Sequence, residues 1–315
     1  MKLTTTFIAA ALATAVGTAA FADETKVIGV SIPAATHGWA GGMNFHAKET
    51  VERLEEVYPG LDFVLATASD PGKQVNDIED MVATRNIDAL VVLPFESDPL
   101  TPPVQAVADS GAWVTVVDRG LSVEGIEDLY VAGDNSGFGK VSGEYMTSMM
   151  PDGGDIVVFR GIPTTIDNER VDAFTAAIEG SGINVLDMEH GNWNRDDSFT
   201  VMEDFLSKYP KIDAVWASDD DMAIGVLAAI EAAGRDDIQF VLGGAGMKEM
   251  IKRTADGDEM IPANVTYPPS MIATAIELTA VGLTSNAPVS GDFVIGSVLV
   301  TQENAMDFYY PDSPF

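Results

Sequence analysis

The chain has 315 residues, no cysteine, and 17 Lys and Arg against 49 Asp and Glu, a formal charge of −32. So negative a field repels nucleic acid and anionic lipid, and without disulfides stability rests on buried cores. Beyond residue 22 about 290 residues remain, enough for two domains of ordinary size, each with its own core.

The first 22 residues read as a delivery segment. MKLTTTFIAAALATAVGTAAFA carries Lys2 near its start, an apolar stretch over 7–16, and Ala20 and Ala22 in an A-x-A arrangement. This is the anatomy of a secretory signal peptide cleaved after Ala22. The stretch is shorter than the ~18 to 20 residues a spanning helix needs. The expectation is a free polypeptide in an exported compartment, most simply a periplasm.

From residue 26 onward, short β-type runs alternate with segments of helical period. The strand candidates are 26–32, 61–67, 88–94, 113–118, 155–161, 183–189, 212–218, 238–244 and 261–267. Nearly all are continuously apolar, as strands covered on both faces must be. Helices are expected over 41–56, 73–86, 101–110, 138–149, 168–180, 198–208, 220–233, 246–255 and 270–284. In the first, Met43, Ala47, Val51 and Leu54 share one face. This alternation predicts an α/β fold with parallel sheets flanked by helices and built from right-handed crossovers.

One sheet of nine or more strands is large for a single core, so two Rossmann-like lobes are expected. The segment 128–139 reads as a strand leaving the first lobe, and 293–296 and 297–301 as two more extended pieces. Crossings near 132, 266 and 297 give a three-segment hinge. The lobes would then be 23–132 plus 267–296 and 133–266 plus 297–315.

In parallel sheets ligands sit beyond the carboxyl ends of the strands. The residues expected there are 37–39, 94–98, Asp118 and Arg119, 162–170, 192–194 and 219–221. Trp39 and Trp193 fall in that set together with acids and bases. Aromatic faces stack on C–H-rich rings while fixed charged groups bind hydroxyls, which points to a sugar site. Glycoside hydrolysis by cleft carboxylates is the alternative, with Asp219, Asp220 and Asp221 at one strand end. Acids at 220 and 221, however, suit the first turn of their own helix. The chain has no G-x-S-x-G and only three histidines, His37, His46 and His190, of which the second reads as helical and the third as a loop residue. H-E-x-x-H, calcium-loop, Walker and G-x-G-x-x-G patterns are missing, so no cofactor or metal is expected.

These residues carry a resemblance. KVIGVSI at 26–32, VVDRG at 116–120, DNSGFGKVSGEYM at 134–146, NERVDAF at 168–174, VWASDDDMAIGVLAAIEAAG at 215–234 and ANVTYPP at 263–269 make the chain similar to periplasmic sugar-binding proteins of the ribose-binding type, the solute receptors of ABC transporters. The resemblance implies that Trp39 and Trp193 sandwich a sugar ring, and that His37 is a polar residue of the first loop reaching the ligand. It further implies that Asp118 and Arg119 bind ring hydroxyls, that Arg170 is the arginine of the second lobe, and that Asp219 stands where asparagine is common. Two departures count. Ala245 replaces an expected acid and Tyr267 an expected glutamine, which argues against ribose and for another pentose or a polyol.

The resemblance also implies a monomeric receptor that works with a membrane permease and an ATPase. Sugar-responsive repressors share the fold, but they need a basic DNA-binding module where this chain has its export segment. The expectation is therefore a binding protein and not an enzyme.

Overall fold

A computed structural model describes residues 25–35, 38–285 and 289–315. The expected segment 1–22 and His37 lie outside the described residues. The chain alternates β1 (Lys26–Pro33), α1 (Gly38–Val57), β2 (Leu61–Ala68), α2 (Pro71–Asp80), β3 (Ala89–Val92), α3 (Ser97–Asp109), β4 (Trp113–Val117) and β5 (Leu129–Gly133). It then runs α4 (Asn135–Met149), β6 (Gly154–Arg160), α5 (Thr165–Ile178), β7 (Ile183–His190), α6 (Arg195–Lys208), β8 (Ala214–Ala217), α7 (Asp220–Ala233), β9 (Phe240–Leu242) and α8 (Lys248–Asp256). It closes with β10 (Ala263–Val265), α9 (Met271–Thr284), β11 (Gly291–Ile295) and β12 (Leu299–Thr301).

Two sheets organise these elements. The first has the order β11-β5-β4-β3-β1-β2 and the second β7-β6-β8-β9, and every pairing within them is parallel. The run ALVV of β3 shows why these strands read as apolar throughout. Ala89 and Val91 enter the core that also holds Met43 of α1 and Ile276 of α9. Leu90 and Val92 enter the opposite core with Ile78 of α2 and Val104 of α3. Alternate side chains point to opposite faces, so a strand sandwiched between two helical layers needs apolar residues at every position.

Three details differ from the expectation. The segment at 128–139 gives β5, a full member of the first sheet paired with β4 and β11. β10 and β12 pair antiparallel and form a separate ribbon. The expected helix over 73–86 divides into α2 and a π-helical turn, Met81–Arg85, ended by Asn86 in the left-handed conformation at φ 48°. The chain passes between the sheets after β5, between β10 and α9, and between β11 and β12. Among the described residues no helix is long and apolar enough to cross a membrane.

Candidate functional site

The carboxyl ends of both sheets open on one cavity. Trp39, Asp118, Arg119, Ile166, Arg170, Trp193, Asp219, Ala245 and Tyr267 line it, around about 420 Å³ of space counted out to its mouth. Seven of the eight residues singled out in the sequence are in that lining, and the eighth, His37, lies outside the described residues.

On the side of the first sheet, Asp118 directly follows β4. It is 2% exposed and adopts the left-handed conformation at φ 58°, a region that Asp tolerates better than bulkier residues. Its Oδ1 accepts a hydrogen bond from the Tyr267 hydroxyl, and its carbonyl accepts one from the Tyr130 hydroxyl. Arg119 donates through Nη1 to the carbonyls of Phe95 and Pro94, so two backbone groups of the β3–α3 loop fix its guanidinium. Its Nε is buried with no hydrogen-bond partner among the described residues. Such a donor costs free energy until something accepts from it, which marks this edge of the cavity as unfinished. Trp39, in the first turn of α1, donates from Nε1 to the Tyr267 carbonyl at 2.9 Å, and the two rings lie 6.1 Å apart.

Tyr267 follows β10, on the passage from the second sheet to α9. Burial and the neighbouring Asp118 charge push its hydroxyl pKa well above the ordinary range, so it is a neutral phenol that donates to the carboxylate. Asn135, the first residue of α4, donates from Nδ2 to the same hydroxyl at 3.3 Å. Arg170 of α5 in turn donates from Nε to Asn135 Oδ1 at 2.8 Å and from Nη1 to the Ser218 carbonyl at 3.0 Å. A continuous chain of hydrogen bonds thus runs from Asp118 through Tyr267, Asn135 and Arg170 to the end of β8. Arg170 is 4% exposed, and its guanidinium carbon lies 4.2 Å from the Tyr267 ring centre and 4.7 Å from that of Phe138. The bonds named use two of its five N–H groups.

On the side of the second sheet, Trp193 sits in the β7–α6 loop with φ 53°, after Asn192 with φ 55°. For a bulky residue this left-handed backbone costs of order 1–3 kcal/mol, and such strain clusters at ligand sites. The indole lies against Gly161, where an added Cβ would meet Cε2 and Nε1 at 2.1 Å, so only glycine fits there. His190 is the last residue of β7 and not a loop residue, and its Nδ1 lies 2.6 Å from the Gly161 carbonyl. Ala245, with φ 88°, contributes a methyl group where an acid was expected from the resemblance.

Asp219 caps α7. Its Oδ1 accepts from the amides of Asp221 at 2.8 Å and Met222 at 3.3 Å. Burial, with the nearby Asp221 charge second, pushes its pKa up to about 7 against the pull of those amides and of Arg170. The next two acids do more than decorate the first turn of their own helix. Asp220 is buried and accepts from the amides of Gly246 and Met247 and from Asn264 Nδ2 at 2.7 Å, tying α7 to the β9–α8 loop and to β10. Burial, followed by Asp219, raises its pKa well above the ordinary carboxylate range. Asp221 Oδ1 accepts from Arg195 at 2.9 Å.

Sequence reasoning left out Asn135, although the motif containing it was visible at 134–146, and Ile166 falls in the loop 162–170 that it placed at the cleft. The assembled cavity offers aromatic faces, guanidinium donors and carboxyl acceptors within one enclosure, a set suited to a small neutral molecule rich in both C–H and O–H groups.

The model of a periplasmic binding protein domain matches residues 28–284. The chain is 26% identical over 304 residues to the ribose import binding protein RbsB of Escherichia coli (strain K12), a span covering 96% of this chain and 99% of that protein. It is 27% identical over 252 residues to the xylitol-binding protein of Mycolicibacterium smegmatis, covering 77% and 68%. A solved ABC transporter solute binding protein of Mycobacterium smegmatis with bound glycerol superimposes with a TM-score of 0.79 at 28% identity, covering 92% of this chain and 98% of that one.

Proposed function

The chain belongs to the periplasmic binding protein domain family, and on that premise we propose that it is the extracytoplasmic receptor of an ABC transporter for a monosaccharide or sugar alcohol. It holds its ligand between the two lobes and delivers it to a membrane permease driven by an ATPase. The lobes are 23–132 plus 267–296 and 133–266 plus 297–315, joined by three crossing segments, and residues 1–22 are the export signal of a periplasmic, monomeric protein.

One observation carries this reading. The cavity is walled by groups from both sheets, Trp39, Asp118 and Arg119 on one side and Arg170, Trp193 and Asp219 on the other. A ligand touching both walls favours the closed arrangement over the open one, which is capture by closure. A pentose or polyol other than ribose is favoured. Ala245 has no polar side-chain group to offer, so hydroxyl recognition falls to Asp118, Arg119, Arg170 and Asp219. A site built to bind particular hydroxyls rejects analogues that lack them.

The test is calorimetric titration of the protein lacking residues 1–22 with pentoses, hexoses and sugar alcohols, with chromatography of each mixture afterwards. One-to-one binding of a pentose or polyol, tighter than ribose and without product, is the expected result. Sugar consumed at catalytic amounts of protein, or no binding anywhere in the panel, would overturn the reading.

A further inference from the structure

Gly38, the first residue of α1, is a place where segments far apart in sequence meet. Its N–H donates to Asp221 Oδ2 at 3.1 Å, while Oδ1 of the same carboxylate is held by Arg195. An acid in the first turn of α7 therefore satisfies an amide at the start of a helix packed on the other sheet, where an unpaired N–H and the positive end of the helix dipole favour a carboxylate. A Cβ on Gly38 would stand 2.7 Å from that Asp221 oxygen and 3.1 Å from Cδ2 of Phe315.

Phe315 belongs to a segment anchored at the opposite end. Lys248 of α8 donates from Nζ to the Ser313 carbonyl at 2.6 Å, and Phe315 itself is buried, close to both Gly38 and Gly42 of α1. Residues 311–315 thus run from the second lobe to α1 and end beside the bond that Asp221 makes.

We propose that Asp221 and Phe315 form a clasp between the lobes at the start of α1, and that the clasp places Trp39 over the cavity. Trp39 is the next residue after Gly38, so the bond that fixes the helix start also fixes the indole. The clasp is separate from the ligand contacts and biases the empty protein toward closure. Asp221 is a positioning residue here, since it is not among the residues that line the cavity. The inference rests on the reading that Trp39 faces the ligand, but it is tested without any ligand, so the two can fail separately.

The test uses ligand-free protein carrying 5-fluorotryptophan. The chain has four tryptophans, so four ¹⁹F signals are expected, and Trp39→Phe assigns the one that matters. Lobe separation is read by spin labels at Glu52→Cys on α1 and Glu203→Cys on α6, in a chain with no cysteine of its own. In Asp221→Ala and in Phe315→Ala the Trp39 signal should shift or broaden while those of Trp113 and Trp216 stay put. The open fraction should rise roughly tenfold, as for loss of one charge-assisted hydrogen bond or a comparable apolar contact. Gly38→Ala attacks the clasp from the other lobe and should do the same, which keeps the test sharp if Asp221→Ala fails to fold. An unmoved Trp39 signal with an unchanged distance distribution in folded variants would overturn the proposal.

Discussion

The two walls of the cavity are held in place by different means. On the first-sheet side, side chains restrain one another and the backbone: Tyr267 holds Asp118, Trp39 holds the Tyr267 carbonyl, and two carbonyls hold Arg119. On the second-sheet side, Arg170 apart, the backbone does the work, through the capped start of α7 at Asp219 and the left-handed turn that presents Trp193. One wall is thus a hydrogen-bonded unit whose members depend on each other, and the other is a set of helix ends and turns whose members are set separately. The difference predicts coupled effects of mutation on the first wall and more nearly independent ones on the second.

The largest effect should come from Arg170, which anchors at the second wall the hydrogen-bonded chain that reaches Asp118 through Asn135 and Tyr267. Arg170→Ala removes a buried cation and leaves Asn135 and the Ser218 carbonyl without their donor. Calorimetry should give a ligand affinity lower by roughly 2 to 5 kcal/mol. Wild-type affinity would mean that the walls are not linked through this residue. Next is Tyr267→Phe, which strips Asp118 of a partner at a buried position and should lower stability by roughly 1 to 3 kcal/mol in denaturant titration. Its effect should be strongly non-additive with that of Asp118→Ala, and simple addition would break the picture of a coupled wall. Trp39→Phe removes the bond to the Tyr267 carbonyl and should lower stability by about 1 kcal/mol in the same denaturant titration.

A pH-dependent effect sharpens the contrast further. The Asp219 pKa is raised from 3.8 to about 7 by burial first and Asp221 second. Between those values the folded chain keeps a proton that the unfolded chain releases. The contribution of this group is fully present below pH 3.8, and it is lost as pH rises through about 7. Asp219→Asn keeps the helix cap, since Asn caps as well as Asp, and should flatten the decline in melting temperature across that window. An identical slope in parent and variant would show that this carboxyl does not titrate there.

Much of this arrangement was legible in the chain. Continuous apolar runs announced strands buried on both faces, and the residues just beyond those runs gave both the acid–base pair at 118–119 and the second tryptophan. The helix starts were harder. α4, α5 and α6 each begin three residues earlier than expected, after Asp134, Thr164 and Asn194, whose side chains accept from amides of the first turn. Those first turns lie at the cleft end of the helices, so the apolar period begins one turn inward and the helix seems to start late. Asn135 was missed for this reason, because it lies in such a turn. The antiparallel ribbon of β10 and β12 was hidden too, since three-residue strands carry too little pattern to reveal their partner or direction.

A crystal structure of the protein with the tightest-binding sugar or polyol tests the central claim most directly. The account predicts one ligand between the sheets, with hydroxyls within hydrogen-bond distance of Asp118, Arg119 Nε, Arg170 and Asp219, and with the Trp39 and Trp193 rings against its C–H faces. A ligand bound elsewhere, or one in this cavity that touches only one of the two walls, would contradict it.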